Sequence, residues 1–183
     1  MQNLVSKKEE EERRLKALAE YRILGTKPES CYDDITKIAA TTCNVPISLM
    51  TLVDKDKQWF KSKIGLQISE TRRDWSFCTH AIKENSPLII HDAFQDERFI
   101  NNPLVTGDPK IRFYAGFPLR NSDGNKLGTL CVIDRKPGNL TTQQFNIMEL
   151  LSKQIVSFLE LRKKSLNLLD ALSNLHKQEG ILS

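Results

Sequence analysis

The sequence predicts an α+β fold, with a central antiparallel sheet of about five to six strands, long terminal helices on one face and short helices on the other. Three observations predict it. Apolar, β-favouring runs occupy the middle of the chain, at residues 47–53, 58–64, 88–90, 113–119 and 126–134. Long helical periodicity is confined to the two ends. The first two runs and the last two are joined by short connections, and the second of these carries Asp123-Gly124, a strong hairpin signal between apolar strands.

The first element is a helix over residues 4–24. Glu9 and Glu10 precede Arg13 and Arg14 by four residues, the favourable order for side-chain pairs on a helix. Leu15, Leu18 and Ile23 give it a thin apolar stripe, so it leans on a partner helix. Gly25-Thr26-Lys27-Pro28 breaks the pattern, and Pro28 starts a second helix, where its missing N–H costs nothing. Ile35, Ile38, Ala39, Thr42 and Cys43 recur at helical spacing until Pro46 ends the run. Residues 47–53 suit a central strand covered on both faces. Residues 54–57 turn, and 58–64 return antiparallel to Gly65. Lys61 and Lys63, two apart, share a strand face and guard a sheet edge against aggregation. Residues 71–83 are mixed, with Ser76 capping a short helix that carries Phe77, Cys78, Ala81 and Ile82. A strand at 88–90 precedes a short helix or helical turn over 92–100 and a loop rich in breakers over 101–109. Strands 113–119 and 126–134 form the hairpin. Thr141 and Gln144 make a capping box for the last helix, which starts near Thr142. Phe145, Met148, Leu151, Ile155 and Leu159 form its inner stripe. Leu161, Ser165, Leu168, Leu172 and Leu175 then repeat with gaps of 4, 3, 4 and 3, a short heptad seam with one polar position.

At 183 residues the chain fits one domain with helical extensions. Its 39% hydrophobic and 27% charged residues describe an ordinary globular mixture. No run nears the ~18 apolar residues of a membrane span. Residues 1–14 are polar and lack the apolar core of a signal peptide. The expectation is a cytoplasmic protein without a membrane span. Cys31, Cys43, Cys78 and Cys131 are scattered and form no C-x-x-C pair, which argues against a disulfide framework. The net charge of +4 is mild, and Asp54, Asp56, Glu70 and Asp74 interrupt the basic residues around Lys55–Arg73. Nucleic acid is therefore not an expected partner.

Six segments in order resemble the GAF domain family, as found at the front of bacterial sensor histidine kinases and diguanylate cyclases. They are residues 46–54, Gln58-Trp59-Phe60-Lys61-Ser62, residues 76–82, Asp96-Glu97-Arg98-Phe99 with residues 102–105, residues 112–119, and residues 128–134. The stretch from 23 to 161, about three quarters of the chain, carries the match. The resemblance implies a GAF/PAS-like sheet with a pocket between it and the short helices. It implies a homodimer formed through the terminal helices, with output along the last one to a kinase or cyclase domain. The chain then divides into a dimerising helix at 1–22, a GAF domain at 23–161 and a signalling extension at 162–183.

The segments specify a fold and no ligand. Cys78-x-His80 is half of a zinc site, but tetrahedral zinc needs four ligands and no second clustered pair exists, so no metal is expected. Cys78 as nucleophile, His80 as base and Asp92 as orienter would satisfy triad logic. Positions i and i+2 of a helix, however, point about 200° apart. The resemblance extends to the free methionine-R-sulfoxide reductases, GAF domains with clustered catalytic cysteines; their cysteine-bearing loop is not evident here. Bilin-binding relatives attach chromophore through a Cys shortly before the penultimate strand, where this chain has neither Cys nor His at 108–113, so covalent bilin is disfavoured. The cyclic-nucleotide GAF signature does not thread through the chain, and no phosphate-cradling glycine loop is present. No cofactor is assigned, and an unknown small molecule is left open. A mixed pocket remains, with aromatic walls from Trp59, Phe77 and Tyr114 and polar contacts from Cys78, His80, Asp92, Arg112 and Thr129. Each has a plain structural role as its rival: shielding a strand, filling the core, capping a helix, or, for Arg112, pairing with Asp96, Glu97 or Asp108. The expected function is a regulatory input domain, not an enzyme, that senses a small molecule or redox state through Cys78. Its rivals are a ligand-free dimerisation module and a thiol reductase.

Overall fold

Every residue of β1 (Ile47–Val53) is buried, and the rest of the molecule is layered around it. The structure, a computed structural model, describes the backbone of residues 2–181 and the side chains of residues 6–178. Residues 1, 182 and 183, the extreme ends of the two expected terminal segments, lie outside the described residues. β1 pairs with β2 (Lys57–Ile64) on one side and β6 (Lys126–Asp134) on the other. With β3 (Glu70–Arg72), β4 (Leu88–Ile90) and β5 (Phe113–Arg120), they form a six-stranded sheet of order β3-β2-β1-β6-β5-β4. Every pairing is antiparallel. Because strand side chains alternate between faces, Met50, Leu52, Ala115, Phe117, Leu130 and Val132 face one way, into the core under α1 (Gln2–Glu20), α2 (Ser30–Cys43) and α5 (Thr142–Ile181). Leu49, Val53, Tyr114, Cys131 and Ile133 face the other, under α3 (Phe77–Ala81) and α4 (Pro103–Thr106).

The helix ends follow local backbone chemistry. α1 stops at Glu20, because Arg22 is left-handed at φ 45°. Arg14 pairs with Glu11 at 2.8 Å in place of the expected Glu10. α2 starts after Glu29, two residues beyond Pro28. It is ended by Asn44, left-handed at φ 52°, whose N–H reaches the Ala40 and Thr41 carbonyls before Pro46 is met. Thr141 and Gln144 cap α5 reciprocally, at 2.9 and 3.2 Å. Residues 92–100 hold only a 3₁₀ turn, Ala93–Gln95, and one helical turn, α4, sits in the expected breaker loop behind an Asn102 cap.

The two edge lysines are corrected. β3, a strand the mixed composition of residues 71–83 hid, covers the start of β2. A bulge leaves Lys61 unpaired, since Met50 faces Ser62 and Thr51 faces Phe60. The extra residue breaks the alternation, so the lysines do not share a face. The Lys61 ammonium is fully buried towards α2, on Glu29 at 2.6 Å, the Lys27 carbonyl at 2.6 Å and Thr26 at 2.8 Å. Lys63 instead donates to the Gln67 and Ile68 carbonyls. Among the described residues, no helix is long and apolar enough to cross a membrane.

Candidate functional site

The α3 face of the sheet holds a knot of buried polar side chains. Ser76 caps α3 by accepting from the Thr79 N–H at 3.0 Å, and itself bonds Gln58. This fixes the first turn of α3 against β2 and presents Cys78 to the sheet. Thr129 and Cys131 lie two apart on β6, and Thr51 of β1 is the direct cross-strand partner of Thr129. Thr129 donates to Cys78 Sγ at 3.0 Å and Tyr114 donates at 3.2 Å. Since the Thr129 proton is committed, Thr51 donates in turn to Thr129 at 3.1 Å. Cys131 Sγ lies 4.0 Å from Cys78 Sγ. Burial pushes the Cys78 thiol up, but hydrogen bonds from Cys131, Thr129 and Tyr114, with Thr51 behind Thr129, favour its thiolate and outweigh burial. Burial, followed by the Cys78 thiol itself, pushes Cys131 well up, so Cys78 is the member of the pair that ionises first.

Beside Cys78 lies a cavity of about 30 Å³, bordered by Gln58, Phe60, Thr71, Tyr114 and Ile111, with half-exposed Ile68 at its rim. Thr71 borders it too, and its buried Oγ1 has no hydrogen-bond partner among the described residues. Phe77 stacks on Phe99 at 3.9 Å and leans on Tyr114, closing the aromatic side.

Four of the eight candidate residues, Phe77, Cys78, Tyr114 and Thr129, thus come together. Trp59 does not join them: its neighbours Gln58 and Phe60 face the cavity, so alternation sends the indole to the helix face, near Lys61. His80 points away from Cys78 to pack edge-on against Phe99 at 4.9 Å. Burial, then Lys83 and Arg98, hold its pKa down. Among the described residues, no group of three His, Cys, Asp or Glu side chains gathers around that pair or elsewhere. Asp92 caps the 3₁₀ turn and receives both arms of Arg112 at 2.7 Å, with Arg112 stacked on Phe94. The guanidinium keeps the Asp92 carboxyl below the usual range. Arg112 therefore pairs with neither Asp96, Glu97 nor Asp108. Cys31 and Cys43 sit on α2, across the sheet from Cys78 and Cys131.

An antiparallel sheet with its long helices on one face and a small polar-lined cavity on the other defines a class of domain, and the sequence comparisons agree with it. The sequence profile of the GAF domain matches residues 27–158, and the chain belongs to the GAF domain family. It is 34% identical over 171 residues to a cyclic di-GMP phosphodiesterase of Pseudomonas aeruginosa, an alignment covering 93% of this chain and 29% of that protein. In structure it is similar to the GAF domain of an Acinetobacter phosphoenolpyruvate-protein phosphotransferase, with a TM-score of 0.61, 14% identity, and 82% and 92% of the two chains covered. A free methionine-R-sulfoxide reductase from Neisseria meningitidis gives a TM-score of 0.61 at 14% identity, with 80% and 87% covered. At such identities the structural likenesses show the fold alone.

The phosphodiesterase corrects one expectation. The chain was expected not to be an enzyme, yet its curated relative is named as one. The expectation weighed only the chemistry displayed by 183 residues, and the chain spans 29% of the length of that relative.

Proposed function

We propose that the chain is a regulatory sensing domain that reads a small molecule or redox state on its α3 face and sets the pose of α1 and α5 in a parallel homodimer. The relative's name supports cyclic di-GMP turnover as the output under control. The observation that carries the reading is α5. The helix runs for 40 residues, but its deeply buried side chains, Met148, Ile155 and Leu159, lie in its first half. Leu161, Leu168, Leu169 and Leu175 are all more than half exposed. A seam of this kind is stable in water only when a second helix covers it. Light scattering on a sizing column tests the dimer. The parent chain is expected to run as a dimer and Leu168→Asp to weaken it at least tenfold, since the carboxylate would be buried unpaired. Equal dimerisation of the two would remove α5 as the interface. The small cavity favours a second reading, a dimerisation module without a ligand. Native mass spectrometry separates the two, because only a sensor retains a ligand mass that denaturation releases.

A further inference from the structure

Building on the sensing reading, we infer that Cys78 and Cys131 form a peroxide-reactive dithiol, which hydrogen peroxide oxidises to a disulfide tying α3 to β6. Thr51, Tyr114, Thr129 and the two thiols are buried in a largely apolar layer, where polar groups cost stability unless they are satisfied. The hydroxyls of Tyr114 and Thr129 both aim at one sulfur, Cys78. That sulfur borders the cavity, and Cys131 lines the layer behind it. The arrangement gives the two thiols separate roles: Cys78 is the attacking thiolate, Cys131 the resolving thiol.

The cavity suits a small oxidant: a volume of about 30 Å³ admits a molecule of the size of water or hydrogen peroxide. Ile68 at the rim marks the way in.

In the first step, Cys78 sulfur attacks one peroxide oxygen. An S–O bond forms, the O–O bond breaks, and the departing hydroxide takes up the thiol proton as water. Sulfur gives up two electrons and the peroxide accepts them, leaving a sulfenic acid on Cys78. In the second step, Cys131 sulfur attacks Cys78 sulfur. The S–S bond forms as the S–O bond breaks, and the Cys131 proton leaves with the hydroxyl as a second water. Two thiols and one hydrogen peroxide become one disulfide and two waters. The sulfurs must close from 4.0 Å to about 2 Å. The five-residue α3 is the mobile partner, since β6 is held between β1 and β5. The turn leading into α3 carries Arg73, which is paired with Glu11 of α1 at 2.6 Å, so movement of α3 reaches a terminal helix.

The test treats the folded parent chain with hydrogen peroxide under non-reducing conditions. Thiol titration is expected to fall from four to two per chain. The intact mass should drop by about 2 Da, and peptide mapping should find Cys78 joined to Cys131. Cys131→Ala should instead trap a dimedone-reactive sulfenic acid on Cys78. Oxidation confined to Cys31, or an unchanged thiol count while the circular dichroism stays native, would overturn the inference. Hydrogen exchange on the same samples keeps the two readings apart. A mapped disulfide with unaltered exchange in α1 and α5 upholds the dithiol and sinks redox sensing as the signal. Altered exchange without the disulfide does the reverse.

Discussion

Gly116 sets the place of the Tyr114 hydroxyl. The two residues share a face of β5, and a Cβ on Gly116 would run into the Tyr114 ring and hydroxyl. Gly116→Ala should therefore push that hydroxyl off Cys78 and destabilise the fold by about 1–3 kcal/mol, the usual cost of overpacking, read as a lower melting temperature. Thr129→Val tests the same hydrogen bonds without the clash. Donors to the thiolate lower the Cys78 pKa against burial, so removing one must raise it. The pH midpoint for alkylation of Cys78 should move upward in Thr129→Val, and at a fixed pH below the midpoint the rate should fall; an unmoved midpoint would show that Thr129 does not donate to Cys78. At this scale the sequence revealed four residues of the site. Phe77, Cys78, Tyr114 and Thr129 stood in segments with clear patterns. Cys131 and Thr51 were missed, although strand alternation places Cys131 beside Thr129, and Thr51 faces Thr129 across the pair. Trp59 was misplaced because its aromatic character was weighed without its parity on the strand. The Asp92–Arg112 pair joins segments 20 residues apart, which spacing alone does not reveal.

Between elements, two ion pairs add to the apolar core in tying the helices to the sheet. Arg73 bonds Glu11 of α1 together with the carbonyls of Asp54 and Lys55 in the β1–β2 turn. Burial raises the Glu11 carboxyl, but Arg14 and Arg73 overcome it and bring it down to about 2, from an ordinary 4.5. A carboxyl depressed in the folded state contributes stability that is complete above its unfolded pKa and is lost as pH falls through the folded one. α1 should therefore stay docked at pH 5 and loosen as pH falls from about 4.5 towards 2, followed by hydrogen exchange along the helix. In Glu11→Gln the protection of α1 relative to free-amide exchange should be lower at neutral pH and flat across that window. Lys61 is the second tie. It meets Glu29, which also receives Arg162 of α5 at 3.1 Å. Lys61→Met leaves Glu29 partly exposed and still paired, so the cost should be about 1–3 kcal/mol, below that of stranding a fully buried charge, and is measurable by urea unfolding. Most of the elements were legible because periodicity, the hairpin turn and the capping box act locally. The β2 bulge, β3 and the left-handed residues Arg22 and Asn44 were not, because each is settled by what the backbone packs against.

Over the whole molecule, the second half of α5 stands apart from the folded domain. Arg162 fastens α5 to the end of α1 through the Tyr21 and Arg22 carbonyls at 2.8 and 3.0 Å, and Lys163 pairs with Glu20 at 2.6 Å. Beyond Lys164 the described side chains are mostly exposed, and the tie back to the domain there is the pair of Arg22 with Asp170. Both its partners are solvated, so screening leaves it little weight. A chain ended after Lys164 keeps Met148, Ile155, Leu159 and Arg162, and with them the α5 side of the core. It should melt cooperatively within about 3 °C of monomeric Leu168→Asp, because the surface removed is not buried in the monomer. It should also fail to dimerise at concentrations where the parent chain does. If the shortened chain unfolded, the seam would be part of the fold. If it dimerised as tightly as the parent, association would belong to the domain or α1, and α5 would be free to carry a signal without being the joint.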